Sequence, residues 1–305
     1  MRFVSRISRD FSDAKITRIF AQAKYGKRVI CDWCGSYRVS RAETARWRCR
    51  RCWRTFDIFT GTFLCKLRAP LRFWYEIIWC FALQESAHKA HRFLKTPAYR
   101  DCLVAYHIIR SAIVHDSTER GCKKFKGTIE LDESFYGGAF KNLRKRVRLE
   151  LRRRGLNKRG GGAKYRKQPV FGVFKRNGEV YLEPVPGAAA EVLKPIITKK
   201  IDLGSNVFSD AGTWYNGLVG LGYIHRTVDH GKQEYVKGEI HINGLERFWG
   251  LSKTNLHVYK GIRKENWTLY LKEMEFRYNN RLLDFDQLVV KIIHLLTRDS
   301  RSEVS

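Results

Sequence analysis

The sequence predicts a mixed α/β domain that follows a small metal-held ribbon and a short helical unit. Three observations lead there. Strand and helix patterns alternate over the second half of the chain, four cysteines stand in two close pairs near its start, and apolar positions between these regions recur with a helical period.

The ribbon comes first. Cys31 and Cys34, then Cys49 and Cys52, have the spacing C-x2-C-x14-C-x2-C. Each pair fits a tight knuckle that aims two thiolates at one ion, and four thiolates complete a closed tetrahedral Zn2+ site. Zinc would be structural there, because no ligand position stays open for catalysis. Gly35 follows the first pair, where a knuckle turn needs an unusual backbone angle. Cys65, Cys80, Cys102 and Cys122 lack such pairing and read as small buried hydrophobes. Residues 1–66 therefore form the ribbon with its basic amino-terminal segment.

Residues 67–122 read as helical. Phe73, Trp74, Ile77, Ile78 and Phe81 mark one apolar face of a helix over Pro70 to Leu83, followed by helices over Ser86 to Leu94 and Pro97 to His115. Three short helices of this kind resemble a helix-turn-helix unit, although an ordinary helical linker has the same pattern.

Residues 123–285 carry the strands. Lys126 to Ser134 is a strand ending in acidic residues. Gln168 to Lys175 and Glu179 to Val185 flank the turn Arg176-Asn177-Gly178, a hairpin signal. A helix over Ala190 to Lys199, a strand over Asn206 to Ser209, a short helix from Thr213, a strand over Tyr223 to Val228 and a longer helix from about Ile242 follow. This order matches a ribonuclease-H-like (retroviral-integrase-like) core, but other α/β folds share it, so the acidic positions must decide. Residues 286–305 form a closing helix, Leu288 to Leu296, and a tail.

Charge narrows the partners. The chain has 59 Lys and Arg against 30 Asp and Glu, a net +29. Repulsion on that scale works against compaction unless a polyanion compensates it, and nucleic acid is the usual one. Residues 141–167 hold 13 basic residues and one acid, Glu150, with Gly160, Gly161 and Gly162 arguing for a flexible loop over a continuous helix. Arg152, Arg153 and Arg154 in this insertion are candidate phosphate contacts. A membrane is not expected as a partner: the apolar stretch Trp74 to Leu83 is short and carries Glu76. Met1 to Arg9 lacks a signal peptide's apolar run, so the expected location is the cytoplasm.

Three carboxylates carry the chemistry. Asp132 ends the first strand, Asp210 follows Val207-Phe208-Ser209, and Glu246 lies on the later helix. Acids at adjacent strand ends and on a neighbouring helix can hold two Mg2+ or Mn2+ ions about 4 Å apart, the arrangement for in-line phosphoryl displacement. Taken singly, each is an ordinary turn, cap or surface acid. Lys253 stands seven residues beyond Glu246, on the same helical face, where it could hold a DNA phosphate. Asn243 precedes Glu246 by three residues and is an alternative third ligand, a DNA contact or a helix cap.

Taken together, the motifs Leu-Asp-Glu-Ser-Phe-Tyr-Gly-Gly (131–138), Phe-Ser-Asp (208–210) and His-Ile-Asn-Gly-Leu-Glu-Arg-Phe-Trp-Gly-Leu-Ser-Lys (241–253) resemble the ISXO-type DDE transposases of bacterial insertion sequences. So do Tyr-Lys-Gly-Ile-Arg (259–263) and Glu-Phe-Arg-Tyr-Asn-Asn-Arg (275–281). The resemblance implies a ribonuclease-H-like core with Asp132, Asp210 and Glu246 as catalytic metal ligands, two divalent ions, and cutting and joining of double-stranded DNA at transposon ends and target. It also implies a homo-oligomer, dimer or higher, on DNA in the bacterial nucleoid. Another nuclease of this fold, or a non-catalytic DNA-binding regulator derived from a transposase, would share much of the pattern.

Overall fold

The computed structural model describes residues 11–42, 46–96, 98–119, 123–137, 143–155, 167–228, 243–259 and 261–300. The chain divides into two compact units, one of Met1–Asp116 with Leu282–Ser305 and one of Ser117–Arg281.

In the first unit, helix α1 (Asp13–Tyr25) starts at Ser12, whose side chain accepts from the Lys15 N–H. It precedes a three-stranded antiparallel sheet of β1 (Val39–Arg41), β2 (Trp47–Cys49) and β3 (Thr55–Phe56). The carboxyl end of α1 is tied to this ribbon by Lys24. Its ammonium donates to Asp32 at 2.7 Å and to the carbonyls of Asp57 and Thr60. Helices α2 (Leu71–Ala82), α3 (Ala87–Leu94) and α4 (Tyr99–Glu119) match the three helices expected, and Ser86 caps α3 through the Lys89 N–H. Helix α9 (Phe285–Thr297), read from the sequence as a separate closing segment, packs on α1 and α2 of this same unit. Helix α1 itself carried no signal that stood out in the sequence.

The second unit is built on a five-stranded mixed sheet. Its strands are β4 (Thr128–Tyr136), β5 (Gln168–Lys175), β6 (Val180–Pro184), β7 (Asn206–Asp210) and β8 (Ile224–Val228), in the order β6-β5-β4-β7-β8. The pairings β6-β5-β4 are antiparallel, and β4-β7-β8 are parallel. The expected hairpin is present: Asn177 takes φ 55°, the left-handed angle a tight turn requires. Strand side chains alternate between faces. Ile129, Leu131, Phe171 and Val173 pack with Leu193 and Ile197 of helix α6 (Ala190–Lys200). Tyr136, Val170 and Phe174 pack on the other face, against Leu245, Phe248 and Trp249 of α7 (Asn243–His257) and Leu271 and Met274 of α8 (Trp267–Asn279).

Two findings differ from the sequence reading of this unit. Part of the basic insertion is helix: α5 (Lys145–Arg153) has no buried residue, and Arg152, Arg153 and Arg154 are exposed at its end. The three glycines of the insertion lie outside the described residues. Helix α8 was not anticipated, because Lys272, Glu273 and Glu275 break its apolar pattern although all three are buried. These polar groups close the edge of the sheet. Asn279 pairs with both the N–H and the carbonyl of Val180, and Glu275 accepts from the Leu182 N–H at 2.8 Å. A bare strand edge would otherwise invite pairing with another chain.

Helix α7 approaches the sheet closely over two glycines. A Cβ on Gly172 would lie 2.6 Å from the Trp249 indole, and one on Gly244 would lie 2.3 Å from the Phe174 ring. Gly172→Ala should therefore destabilise this unit by about 1–3 kcal/mol, the usual effect of overpacking. Gly250, on the exposed side of the same helix, has nothing within 4 Å of such a Cβ. Gly250→Ala should stabilise by about 0.5–1 kcal/mol through helix propensity. Urea unfolding of the two variants checks the opposite signs.

Candidate active site

The parallel register of β4 and β7 sets the first two acids side by side. Thr128 pairs with Asn206 and Glu130 with Phe208, so the same offset carried two residues further brings Asp132 beside Asp210. Strand β7 ends at Asp210, where open α/β sheets bind their ligands. Asp132, expected at the end of its strand, instead lies in the middle of β4, because the pairing with β5 carries that strand on to Tyr136. One Asp132 oxygen accepts from the Glu133 N–H and the other from the Trp249 indole N–H, both at 2.8 Å. The Asp210 carboxylate accepts from the Gly212 N–H at 3.1 Å. Each acid is thus held from one side by a fixed donor.

Glu133 joins them, and sequence reasoning passed over it. Among the described residues, Asp132, Glu133 and Asp210 have carboxylate oxygens within 4.8 Å of one another, close enough to hold a metal ion. Residues adjacent in a strand ordinarily face opposite ways. Glu133 leans toward the other face, where the Tyr215 hydroxyl donates to it at 2.6 Å. Its position next to Asp132 in a Leu-Asp-Glu-Ser run was the available signal.

Glu246 is placed differently. It lies exposed in the first turn of α7 and is not part of that group, although its charge helps raise the Asp132 pKa. Trp249 and Lys253 follow it at three and seven residues, on the same side of the helix. The Lys253 ammonium lies 5.8 Å from the Tyr136 ring centroid, and burial lowers its pKa, as does the charge of Lys167. Asn243 is the exposed first residue of α7. It lines a cavity of about 650 Å3 together with Glu130, Arg176, Arg247 and Arg281.

The seat of α7 is a buried ion pair. Glu130, two residues before Asp132, has no exposed surface. One of its oxygens accepts from Arg176 Nε at 2.8 Å and the other from the Leu245 N–H at 2.9 Å. A carboxylate at a helix amino terminus also meets the positive end of the helix dipole. Helix α7 is therefore pinned one residue before Glu246.

The four cysteines converge as the spacing predicts. Their sulfurs all lie within 4.8 Å of one another, with Cys31–Cys52 and Cys34–Cys49 each at 3.6 Å. A tetrahedral zinc–thiolate centre has sulfur–sulfur edges of about 3.8 Å, so this set fits zinc. The N–H groups of Cys52 and Arg51 point at the Cys49 sulfur and pull its pKa down to about 6, which favours the thiolate. Of the other cysteines, Cys80 and Cys102 are buried as expected, whereas Cys65 is exposed because it ends a short 3-10 turn, Phe63–Lys66, that buries only Phe63 and Leu64. Cys122 lies outside the described residues.

Comparisons with known proteins place the chain among transposases. Residues 124–279 match the family described as the ISXO2-like transposase domain. A protein in the transposable element ISH50 of Halobacterium salinarum is 26% identical over 277 residues, covering 87% of this chain and 90% of the relative. A transposase-like protein of Haemophilus influenzae is 35% identical over 102 residues, 33% of this chain and 82% of the relative. No solved structure matches significantly. Among the described residues, no helix is long and apolar enough to cross a membrane.

Burial, together with the neighbouring carboxylates, pushes Asp132 up to about 6 and Glu133 up to about 7. Between about pH 4 and about pH 7 the folded unit then binds more protons than the unfolded chain, so its stability falls as pH rises through that window. A divalent cation at these acids removes the repulsion. The gain in melting temperature on adding Mg2+ should therefore be larger at pH 8 than at pH 5 and should vanish in Asp132→Asn. A gain independent of pH would contradict the assignment. At the cysteines, metal analysis should find a zinc ion per chain, and Cys49→Ser should unfold the ribbon while Ser117–Arg281 stays folded.

Proposed function

Because the chain belongs to the ISXO2-like transposase family, we propose that it binds the ends of a mobile DNA element and catalyses cleavage and strand transfer there. The observation that carries this reading is the closeness of Asp132 and Asp210, whose carboxylate oxygens lie within 4.8 Å of each other on adjacent parallel strands. We read the sheet, three antiparallel strands continued by two parallel ones, as ribonuclease-H-like. The ribbon and the helices α2 to α4 would bind the element ends, two copies or more of the chain would bring paired ends together, and the whole would act in the cytoplasm at the nucleoid.

Asp132, Asp210 and Glu246 would hold two Mg2+ or Mn2+ ions. When bound, such ions neutralise charge on the attacking and leaving oxygens of an in-line displacement. The protein supplies position. The Trp249 indole and the Glu133 N–H fix Asp132, and the Glu130–Arg176 pair fixes the helix that presents Glu246 and Lys253. Lys253 would hold a phosphate beside the acids. Asn243 would contact DNA at the helix start, and Arg152, Arg153 and Arg154 would hold the backbone without reading sequence. In the first step a water loses a proton as its oxygen attacks phosphorus, and the element's 3′-oxygen leaves and takes a proton. In the second step that 3′-hydroxyl loses its proton as its oxygen attacks a target phosphorus, and a target 3′-oxygen leaves and takes a proton. Neither step needs a covalent protein intermediate, so catalysis is positioning and charge.

Asp132→Asn and Asp210→Asn should abolish Mg2+-dependent cleavage of an element end while leaving DNA binding within about twofold, because the amide keeps the shape and loses the charge. Glu246→Gln should do the same. Glu133→Gln is expected to retain activity, since Glu133 faces Tyr215. Cleavage that survives Glu246→Gln and is lost in Glu133→Gln would make Glu133 the third ligand. Replacing Arg152, Arg153 and Arg154 by Ala should weaken specific and random duplexes alike, with the salt slope lowered by about 0.9 for each phosphate no longer neutralised.

A further inference from the structure

The two cysteine knuckles share one backbone turn and differ in the residue that follows the second cysteine, Gly35 in one and Trp53 in the other. The N–H of Gly35 donates to the Cys31 carbonyl at 3.0 Å, and the N–H of Trp53 donates to the Cys49 carbonyl at 3.0 Å. Both residues take a left-handed conformation, with φ 67° at Gly35 and φ 61° at Trp53. Glycine adopts that angle freely, whereas a bulky side chain there is strained. Strain of this kind points from an observed outlier toward function.

The strained tryptophan is not a core residue. Trp53 is 66% exposed, and Trp33, within the first knuckle, is 45% exposed. Each ring has an arginine over it: Arg48 lies 5.4 Å from the Trp53 ring and Arg54 lies 5.2 Å from the Trp33 ring. Both pairs adjoin Thr55. Arg48 faces Thr55 across the β2–β3 ladder, and the Trp33 indole donates to the Thr55 carbonyl at 3.3 Å. Arg46 to Arg54 holds five arginines and no acid, and all five are exposed.

We propose that this tryptophan–arginine face of the ribbon binds unpaired nucleotides, each base stacking on an indole and its phosphate lying against the adjacent guanidinium. This rests on the transposase reading above and sharpens it, since an intact duplex offers base edges in its grooves and not base faces. Exposed aromatic rings beside arginines are the apparatus of single-strand binding, where every base has a face to stack. The charge of the patch favours phosphates over an apolar partner, because Arg46 to Arg54 sets five exposed arginines together with no acid among them. Unpaired nucleotides arise where a DNA end frays or has been nicked.

The test uses the full-length, zinc-loaded chain and three labelled probes: a blunt duplex, the same duplex with a thymidine tail, and free oligothymidylate. Trp53→Gly removes the ring and relieves the backbone, so the melting temperature should hold or rise. Affinity for the tailed duplex and oligothymidylate should fall about tenfold, the order of one base stack. The blunt duplex should change by less than about twofold, because stacking does not contribute to it. Trp33→Ala should act in the same direction, and Trp53→Tyr should restore part of the affinity. Equal loss on blunt and tailed probes would overturn the proposal in favour of duplex contact, and unchanged binding of every probe by Trp53→Gly would overturn it outright. Wild-type protein that binds none of the probes would instead overturn the transposase reading together with this one.

Discussion

Helix α7 lies on the sheet at a distance that two missing side chains allow, and the candidate active site depends on that contact. Gly172 stands opposite Asp132 in the β4–β5 ladder, and it is over Gly172 that the Trp249 indole lies. From there its N–H reaches the Asp132 carboxylate. Gly244 gives the helix start the same closeness over Phe174. Raising the helix by the width of a methyl group would lengthen the Trp249–Asp132 bond and carry Glu246 and Lys253 away with it. Hydrogen bonds weaken steeply with such displacement, and metal-ligand geometry tolerates less.

The buried Glu130–Arg176 pair serves the same end from beneath. A buried ion pair is poor evidence of stability, because desolvation offsets much of its attraction. It does define position, and here it joins several parts. Arg176 follows β5 at the hairpin turn, its N–H donates to the Thr128 carbonyl, and its guanidinium lies 4.6 Å from the Phe208 ring, two residues before Asp210. Glu130 stands on β4 two residues before Asp132 and receives the first turn of α7. One pair of charges thus relates both strands that carry the aspartates to the helix that carries Glu246.

The sequence reading succeeded where local pattern and local structure coincide. Alternation in Ile129-Glu130-Leu131-Asp132, the continuous apolar run Val170 to Phe174, the Arg-Asn-Gly turn and the paired cysteines each have a short-range physical cause. It failed where burial contradicts polarity. Helix α8 hides Lys272 and Glu275 because they meet Tyr181 and the Leu182 N–H, partners distant in sequence, while Glu273 pairs with Arg277 one turn on. The motif Glu-Phe-Arg-Tyr-Asn-Asn-Arg, read from the sequence only as part of a family resemblance, has a structural use: Glu275 and Asn279 seal a sheet edge. Glu133 was passed over for the opposite reason. Strict alternation sends it away from Asp132 toward Tyr215, yet β7 stops at Asp210 and the three carboxylates still come within 4.8 Å of one another.

The two candidate metal centres need opposite surroundings, and the chain provides both. A closed thiolate site must be surrounded by backbone donors and held in place, because the ribbon buries little beyond Cys31, Cys49 and Phe56. Its support comes from outside the ribbon, through Lys24 and Tyr25 of α1, which meet Asp32 and the Asp57 carbonyl. An acidic site for phosphoryl transfer must instead stay open to its substrate while keeping its carboxylates from drifting apart. Fixed donors on Asp132 and Asp210 do this without filling the space between them. The remaining carboxylate repulsion is tolerable in a chain with 29 more positive than negative charges, because the same polyanion that relieves the excess of arginine would bring its phosphates, and their cations, to these acids.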